Sequence, residues 1–230
     1  MKILALDTAL SGCSVCVLDT DSGAAHKEVR PMTRGQVEAL IPMVQNVAGQ
    51  ADITFADLDL IATTIGPGAF TGLRIGMSAA RGFALSLDKP LIGFTTLQVL
   101  AQQFANEHEI EADQQIGVIL ETKRSDFYCQ IFDAKACAIS APQAMESPEM
   151  LDNTHYIGDA VERFREQSGA PRDIAHFHER YHLPDPQMLA RMAYDTYRAN
   201  GADIGNMPAP LYLRAPDVSQ PKSLPRSLAK

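Results

Sequence analysis

Residues 66–76 read Gly-Pro-Gly-Ala-Phe-Thr-Gly-Leu-Arg-Ile-Gly, between an apolar run at Leu60–Ile65 and a long apolar, small-residue segment ending near Leu87. A buried strand therefore turns through glycine and proline straight into a helix. Glycine admits φ > 0 and close backbone approach, so Gly66 and Gly68 suit such a turn, and Thr71 is placed to cap a helix beginning near Gly72. The N–H groups of that first helical turn stay free, which makes the turn a seat for an anion. The run lacks the Gly-Lys-Ser/Thr ending of a Walker loop and the spacing of a dinucleotide fingerprint, so by itself it names no ligand.

The order of elements around this junction limits the fold. Lys2–Leu6, Ser14–Asp19 and Ala24–Arg30 read as strands joined by tight turns, which pair antiparallel. A helix follows at 35–49, with Val37, Leu40, Ile41, Val44 and Val47 at helical spacing, and Pro42 should bend or loosen it. Then come the strand at 60–65, the helix after the glycine loop, a strand at Pro90–Phe94 and a helix at Thr96–Asn106. Three meandering strands followed by α-β-α-β resemble a ribonuclease-H-like lobe, the building block of the actin and Hsp70 ATPase fold. A second set starts at Gly117–Glu121, pairs with Asp126–Phe132 and then grows irregular, with helices at Asp159–Gln167 and Gln187–Asn200 assigned to it. The expected architecture is α/β, with a first lobe over 1–106, a reduced second lobe over 107–217 and a flexible tail over 218–230.

Composition removes several classes of function. The formal net charge of −8 argues against a chain that grips a nucleic acid backbone alone, so a partner should supply positive charge for any RNA chemistry. No apolar run approaches the ~20 residues needed to cross a bilayer. The start, Met1–Asp7, has too short an apolar core for a signal peptide and reads as a strand, which predicts a cytoplasmic protein. Four cysteines make no disulfide framework. Cys13 and Cys16 spell C-x-x-C, but in a strand residues three apart point to opposite faces.

His178-Glu179-Arg180-Tyr181-His182 is a literal H-E-x-x-H. Zinc protease chemistry needs both histidines on one helical face and a third ligand further along. Here Leu183-Pro184-Asp185-Pro186 would end any helix, and Ile174–Phe177 reads as a strand entering the loop. The reading adopted is a chance match, with a zinc metalloprotease through His178, Glu179 and His182 as the lesser alternative.

In the expected fold, Asp7-Thr8-Ala9-Leu10-Ser11-Gly12 forms the hairpin between the first two strands. From residue types alone, Asp7 and Thr8 simply make a turn; in actin-like ATPases the same hairpin carries an aspartate near the metal and hydroxyls near the phosphates. Together, Ile3–Thr8, Ile65–Gly76 and Pro210-Leu211-Tyr212-Leu213-Arg214 resemble the bacterial TsaB (YeaZ) family, which supports synthesis of threonylcarbamoyladenosine in tRNA. Glu121–Tyr128 is similar to the family's Asp-Ala-Arg-x-x-Glu-Val-Tyr segment. The likeness spans nearly the whole chain and is patchy over 134–207. Ala69, Glu121-Thr122 and Gln36 depart from the family's usual residues.

The resemblance implies a subunit without catalytic residues of its own. The family's paralogue TsaD, which moves threonylcarbamoyl onto adenosine 37 of ANN-reading tRNAs, holds a metal through His-x-x-x-His on the first helix of its lobe. The matching positions here carry Gln36 and Leu40, an amide and an isobutyl group that bind no such metal. TsaB proteins pair with TsaD, the ATPase TsaE engages that junction, tRNA is reached through the complex, and isolated members self-associate as homodimers. No cofactor is expected on this chain alone, with ATP or ADP confined to the complex interface. The helix over 73–87 is apolar nearly all round, so something other than its own sheet covers it: a partner, or the first helix and second lobe. Val37, Leu40, Met77, Ala80 and Phe83 are the expected partner contacts. Asp7, Thr8, Gly66, Gly68, Thr71 and Arg74 are expected at the edge of the cleft. The alternative is an independent actin-like ATPase or phosphotransferase, for which the hairpin 121–125 lacks the glycine-rich phosphate grip a second lobe must supply.

Overall fold

The computed structural model describes residues 1–169, 176–201 and 207–214. The expected tail at 218–230 and the expected strand residues Ile174 and Ala175 lie outside the described residues. The first sheet contains β1 (Lys2–Asp7), β2 (Gly12–Asp19), β3 (Ala25–Pro31), β4 (Leu60–Thr64) and β5 (Leu91–Phe94), in the order β3-β2-β1-β4-β5. β1 and β2 pair antiparallel with Asp7 opposite Ser14, whereas β4 runs parallel to β1 with Leu4 opposite Ile61. β1 and β4 lie at the centre with both faces covered, which is why their sequences are near-continuous apolar runs. β3 is an edge strand, and its Lys27, Glu28 and Arg30 guard that edge against pairing with another chain.

Helices α1 (Gln36–Gln50) and α2 (Phe70–Leu87) cover one face of this sheet, where Leu4, Leu6, Val15 and Val17 meet Leu40, Val44, Val47 and Ala80. Helix α1 runs unbroken through Pro42, contrary to the expected interruption. Pro42 and Glu38, whose carbonyl loses its N–H partner to the proline, are both exposed residues. Helix α2 starts at Phe70 with Ala69 as its cap residue, so Thr71 lies inside the helix and caps nothing. Ala69 is held instead by its N–H bond to the Ala9 carbonyl at 2.7 Å. Cys13 packs on the α1–α2 side of the sheet and Cys16 on the other, as strand periodicity predicts.

The second sheet repeats the first. It contains β6 (Gln115–Glu121), β7 (Phe127–Asp133), β8 (Gln143–Met145), β9 (Thr154–Ile157) and β10 (His176–His178), in the order β10-β9-β6-β7-β8. Three antiparallel strands are again extended by two parallel ones on the far side of the first. Two ribonuclease-H-like lobes thus form an actin-like fold, with three-residue edge strands β8 and β10 making the second lobe smaller. The strand-ending glycines Gly66 and Gly158 occupy matching places and share positive φ of 103° and 118°, a conformation only glycine takes without strain.

The lobes exchange helices. α3 (Thr96–Glu107) follows the first sheet in the chain, yet Leu97, Leu100 and Phe104 pack on Ile116, Val118 and Ile157 of the second. α4 (Val161–Ser168) covers the opposite face of that sheet through Val161 and Phe164. α5 (Pro186–Asn200) was expected in the second lobe, but Leu189, Ala190 and Ala193 pack on Ile3, Ala5, Cys16 and Ala62 of the first. Its stripe of small residues fits a flat sheet face, a preference that helical spacing alone does not reveal.

Candidate functional site

Between the lobes lies a cleft of about 870 Å³. One wall is the glycine loop and the first turns of α1 and α2; the other is the β6–β7 hairpin, Glu121–Arg124, with Asp159 after β9. Of the six residues expected at its edge, Gly68, Thr71 and Arg74 line it, while Asp7, Thr8 and Gly66 are buried behind the loop. The reason is the loop's packing on the turn after β1. A Cβ at Gly68 would stand 2.3 Å from the Ala9 carbonyl oxygen, one at Gly72 would stand 2.1 Å from that of Thr8, and one at Gly76 would stand 2.6 Å from Thr8 Oγ1. Gly68, Gly72 and Gly76 therefore let the loop and α2 pack closely on the turn after β1.

Asp7 is fully buried. Its Oδ1 accepts from Thr64 Oγ1 at 2.5 Å and from the Ala9 N–H at 3.1 Å, and its Oδ2 has no partner. Burial dominates these bonds and raises its pKa to about 6 from 3.8. Between these values the native state binds a proton that the unfolded chain does not, so this carboxyl's contribution to stability declines as pH rises through 6. Asp7→Asn is expected to stabilise the protein at pH 7.5 by about 1 kcal/mol, an ionisation cost of about 3 kcal/mol less about 2 kcal/mol for a buried unpaired amide. At pH 4 the sign should invert, since only the amide cost survives; melting curves at the two pH values check this, and a gain independent of pH would refute the assignment.

The second lobe's wall was not anticipated from sequence. Arg163 of α4 holds the Glu121 carboxylate through two bonds of 2.9 Å and donates to the Asp126 carbonyl at 2.8 Å. Its guanidinium also lies 3.8 Å over the Phe127 ring. Asp159 accepts the Glu121 N–H at 2.9 Å, and burial raises its pKa to about 6, with the Glu121 charge adding to the effect. A strap, residues 207–214, runs past the cleft, and Leu211–Arg214 line it. The Leu211 N–H donates to the Ile65 carbonyl at 2.7 Å, and Arg81 donates to the Pro208 carbonyl at 2.6 Å. Tyr212 lies 5.3 Å from Phe70, on which Arg74 stacks at 3.8 Å. Arg214 then forms an ion pair with buried Asp126 across the lobes.

The expected partner contacts divide. Leu40, Met77 and Ala80 are 0–3% exposed, because the inward stripes of α1 and α2 close the first lobe's own core; they offer no surface. Phe83 is half-buried, with Phe55 edge-on at 5.3 Å. Val37 alone of the five is fully outward, 62% exposed, and Ile41 one turn later is 42% exposed. On α2 the exposed positions are Phe70, Thr71, Arg74, Ser78, Gly82, Leu85 and Ser86.

H-E-x-x-H does not lie on a helix: His178 ends β10, Glu179 is in a turn paired with Arg165, and His182 follows buried Tyr181 in a loop. Among the described residues no group of three or more His, Cys, Asp or Glu is placed to hold a metal ion. No described helix is long and apolar enough to cross a membrane.

Paired ribonuclease-H-like lobes around a cleft define a protein of the actin-like fold. Residues 30–203 match the family model described as TsaD, tRNA N6-adenosine threonylcarbamoyltransferase. The tRNA threonylcarbamoyladenosine biosynthesis protein TsaB of Escherichia coli is 40% identical over 102 residues, which cover 44% of this chain and 43% of that one. The protein of the same description from Haemophilus influenzae is 26% identical over 93% of this chain and 94% of its own length. The solved structure of YeaZ from Pseudomonas aeruginosa, 23% identical, superposes with a TM-score of 0.77 over 92% of this chain and 99% of that one, which shows the same fold. The chain belongs to the TsaB (YeaZ) family.

Proposed function

We propose that this chain acts in threonylcarbamoyladenosine synthesis as a subunit without catalysis of its own, pairing with TsaD through the outward faces of α1 and α2. The observation that carries the reading is the outer surface of these two helices. Val37, Ile41 and Leu85 are 42–81% exposed on a lobe whose core is already closed. Ser78 and Gly82 between them allow a partner helix to come close. An apolar helix surface rimmed by few charges is the composition of an interface centre, not of a solvated face.

The start of α1 supports the division of labour. Where the family's resemblance to TsaD puts two metal-binding imidazoles, Gln36 donates to the Met32 carbonyl at 3.2 Å and Leu40 sits in the core. In this reading TsaE engages the junction, tRNA is reached through the complex, and any nucleotide sits between the partners and not on this chain alone.

Native mass spectrometry of the chain mixed with TsaD of the same organism tests the proposal, and a one-to-one complex is expected. Val37→Asp and Ile41→Asp should each weaken it by about a hundredfold or more, as a charge placed in an apolar interface costs about 3 kcal/mol or more. Both positions are exposed, so the melting temperature of the isolated chain should stay within about 2 °C. A wild-type chain that forms no complex, or variants that pair normally, would refute the surface assigned.

A further inference from the structure

Four of the six histidines gather at the outer edge of the second lobe, around the fully buried ring of Phe104. His108 follows α3, His155 lies in β9, and His176 and His178 are the two ends of β10. His155 stacks on His176 with ring centroids 4.5 Å apart, and His178 lies 5.3 Å from His155 and 5.5 Å from His108. Phe104 is 4.4–5.4 Å from His108, His155 and His178.

Hydrogen bonds order the cluster and fix its protons. Gln114 Oε1 accepts from the Glu111 N–H at 3.0 Å, which sets that atom as an oxygen. His155 Nε2, 3.2 Å from the same oxygen, must therefore carry a proton and donate. That leaves His155 Nδ1 as an acceptor, and His178 Nε2, 3.1 Å away, as its donor. Both rings are neutral in this arrangement. The pair joins β10 to β9 beyond their backbone ladder, just before the turn that leads through Tyr181 to α5.

We propose that the His155–His178 pair is an acid-sensitive clasp, which holds β10 and the following turn to the second lobe at neutral pH and releases them when protonated. A single proton leaves an imidazolium–imidazole hydrogen bond whichever ring carries it, whereas a second puts two N–H donors face to face at 3.1 Å, and the bond is lost. A proton on His178 Nδ1 keeps the bond but places a cation beside three other imidazoles.

The surrounding groups give no relief. From α3, Glu107 is engaged by the Tyr181 hydroxyl at 2.8 Å and lies 3.9 Å from Arg180, while His108 bonds Tyr181 at 2.8 Å. From α4, Arg165 pairs with Glu179. From β10 and its turn come His176 and Arg180, both of which oppose a positive charge at His178. Burial is the largest cause of a pKa pushed down to about 4 at His178 and of the lowered value at His155; the neighbouring imidazoles follow.

The sign follows from linkage. The unfolded rings take up protons near 6.5 and the clasped rings only at lower pH, so the clasp is complete above 6.5 and weakens as pH falls below it. Each proton taken up on release favours opening by about tenfold per pH unit. Global stability is a poor readout, since Asp7 and Asp159 titrate near 6 with the opposite sign.

Amide hydrogen exchange of the full chain, corrected for intrinsic rates, supplies a local readout. Between pH 6.5 and 5 the opening of residues 176–181 should rise about tenfold or more relative to residues 77–84 of α2. His155→Gln with His178→Gln keeps an acceptor and a donor without a titrating ring, and should flatten that rise. Should this variant fail to fold, ring resonances of the wild-type protein decide: both should titrate below 6.5, in step with the local opening. Parallel exchange in β10 and α2, an unaltered slope in the folded double variant, or two rings titrating at the ordinary value would each overturn the clasp.

Discussion

Gly72→Ala is expected to destabilise the protein by about 3 kcal/mol and to lower its melting temperature by roughly 6–12 °C. The added methyl would stand 2.1 Å from the Thr8 carbonyl oxygen, a backbone atom in the turn after β1. Neither side can yield freely. Gly72 lies in the first turn of α2, and its own carbonyl accepts from Thr8 Oγ1 at 2.6 Å, so the two segments are bonded at the very place where they would have to separate. Asp7, buried beside them without a partner for Oδ2, would feel any water that the separation admitted. Gly82→Ala is the matched control. It lies on the outward side of the same helix, a Cβ there meets nothing within 4 Å, and alanine should stabilise the helix by about 0.5–1 kcal/mol. Thermal melts of both variants check the pair, and similar losses at the two sites would show that helix propensity, not contact with Thr8, governs Gly72.

Arg214→Ala should cost about 2–3 kcal/mol, at the lower end for a broken buried ion pair because the arginine itself is 30% exposed. Asp126 is 1% exposed and would keep the 2.6 Å bond from Thr122 Oγ1 but lose the guanidinium paired with its carboxylate. The strap would lose this anchor on the second lobe and keep Tyr212 against Phe70, Leu211 on Ile65 and the bond from Arg81 to Pro208 on the first. Adding Asp126→Asn to Arg214→Ala should recover most of the loss, since the cost lies in the stranded carboxylate. The double-mutant cycle by chemical denaturation measures this. A single variant within about 0.5 kcal/mol of wild type, or a double variant no better than the single, would show that the pair does not join the lobes.

The pairing surface shows where periodicity stops informing. Apolar spacing placed Leu40, Met77 and Ala80 on helices correctly, but a stripe that buries against a sheet and a stripe that waits for a partner are written in the same residues. The structure separates them through the sheet's position: the stripe with Leu40 and Ala80 meets Val15 and Ile61, and Val37 and Ile41 point away. The glycine loop is similar. Its composition suited an anion seat, and the structure adds a packing role that no local pattern shows: the space at Gly68, Gly72 and Gly76 is filled by Thr8 and Ala9, and that at Gly66 by Leu73 and Leu211.

Strand order, the helices between strands and the junction at Gly66–Gly76 were determined by sequence alone, because local hydrophobic period and glycine–proline punctuation act over a few residues. The opposed faces of Cys13 and Cys16 and the failure of H-E-x-x-H to form a helix follow from the same short-range rules. Which lobe α3 and α5 cover, which carboxylates Arg163 and Arg214 hold, and how four histidines between positions 108 and 178 converge were decided only by the tertiary structure. These contacts join residues tens of positions apart, and no local pattern in the chain encodes such a meeting.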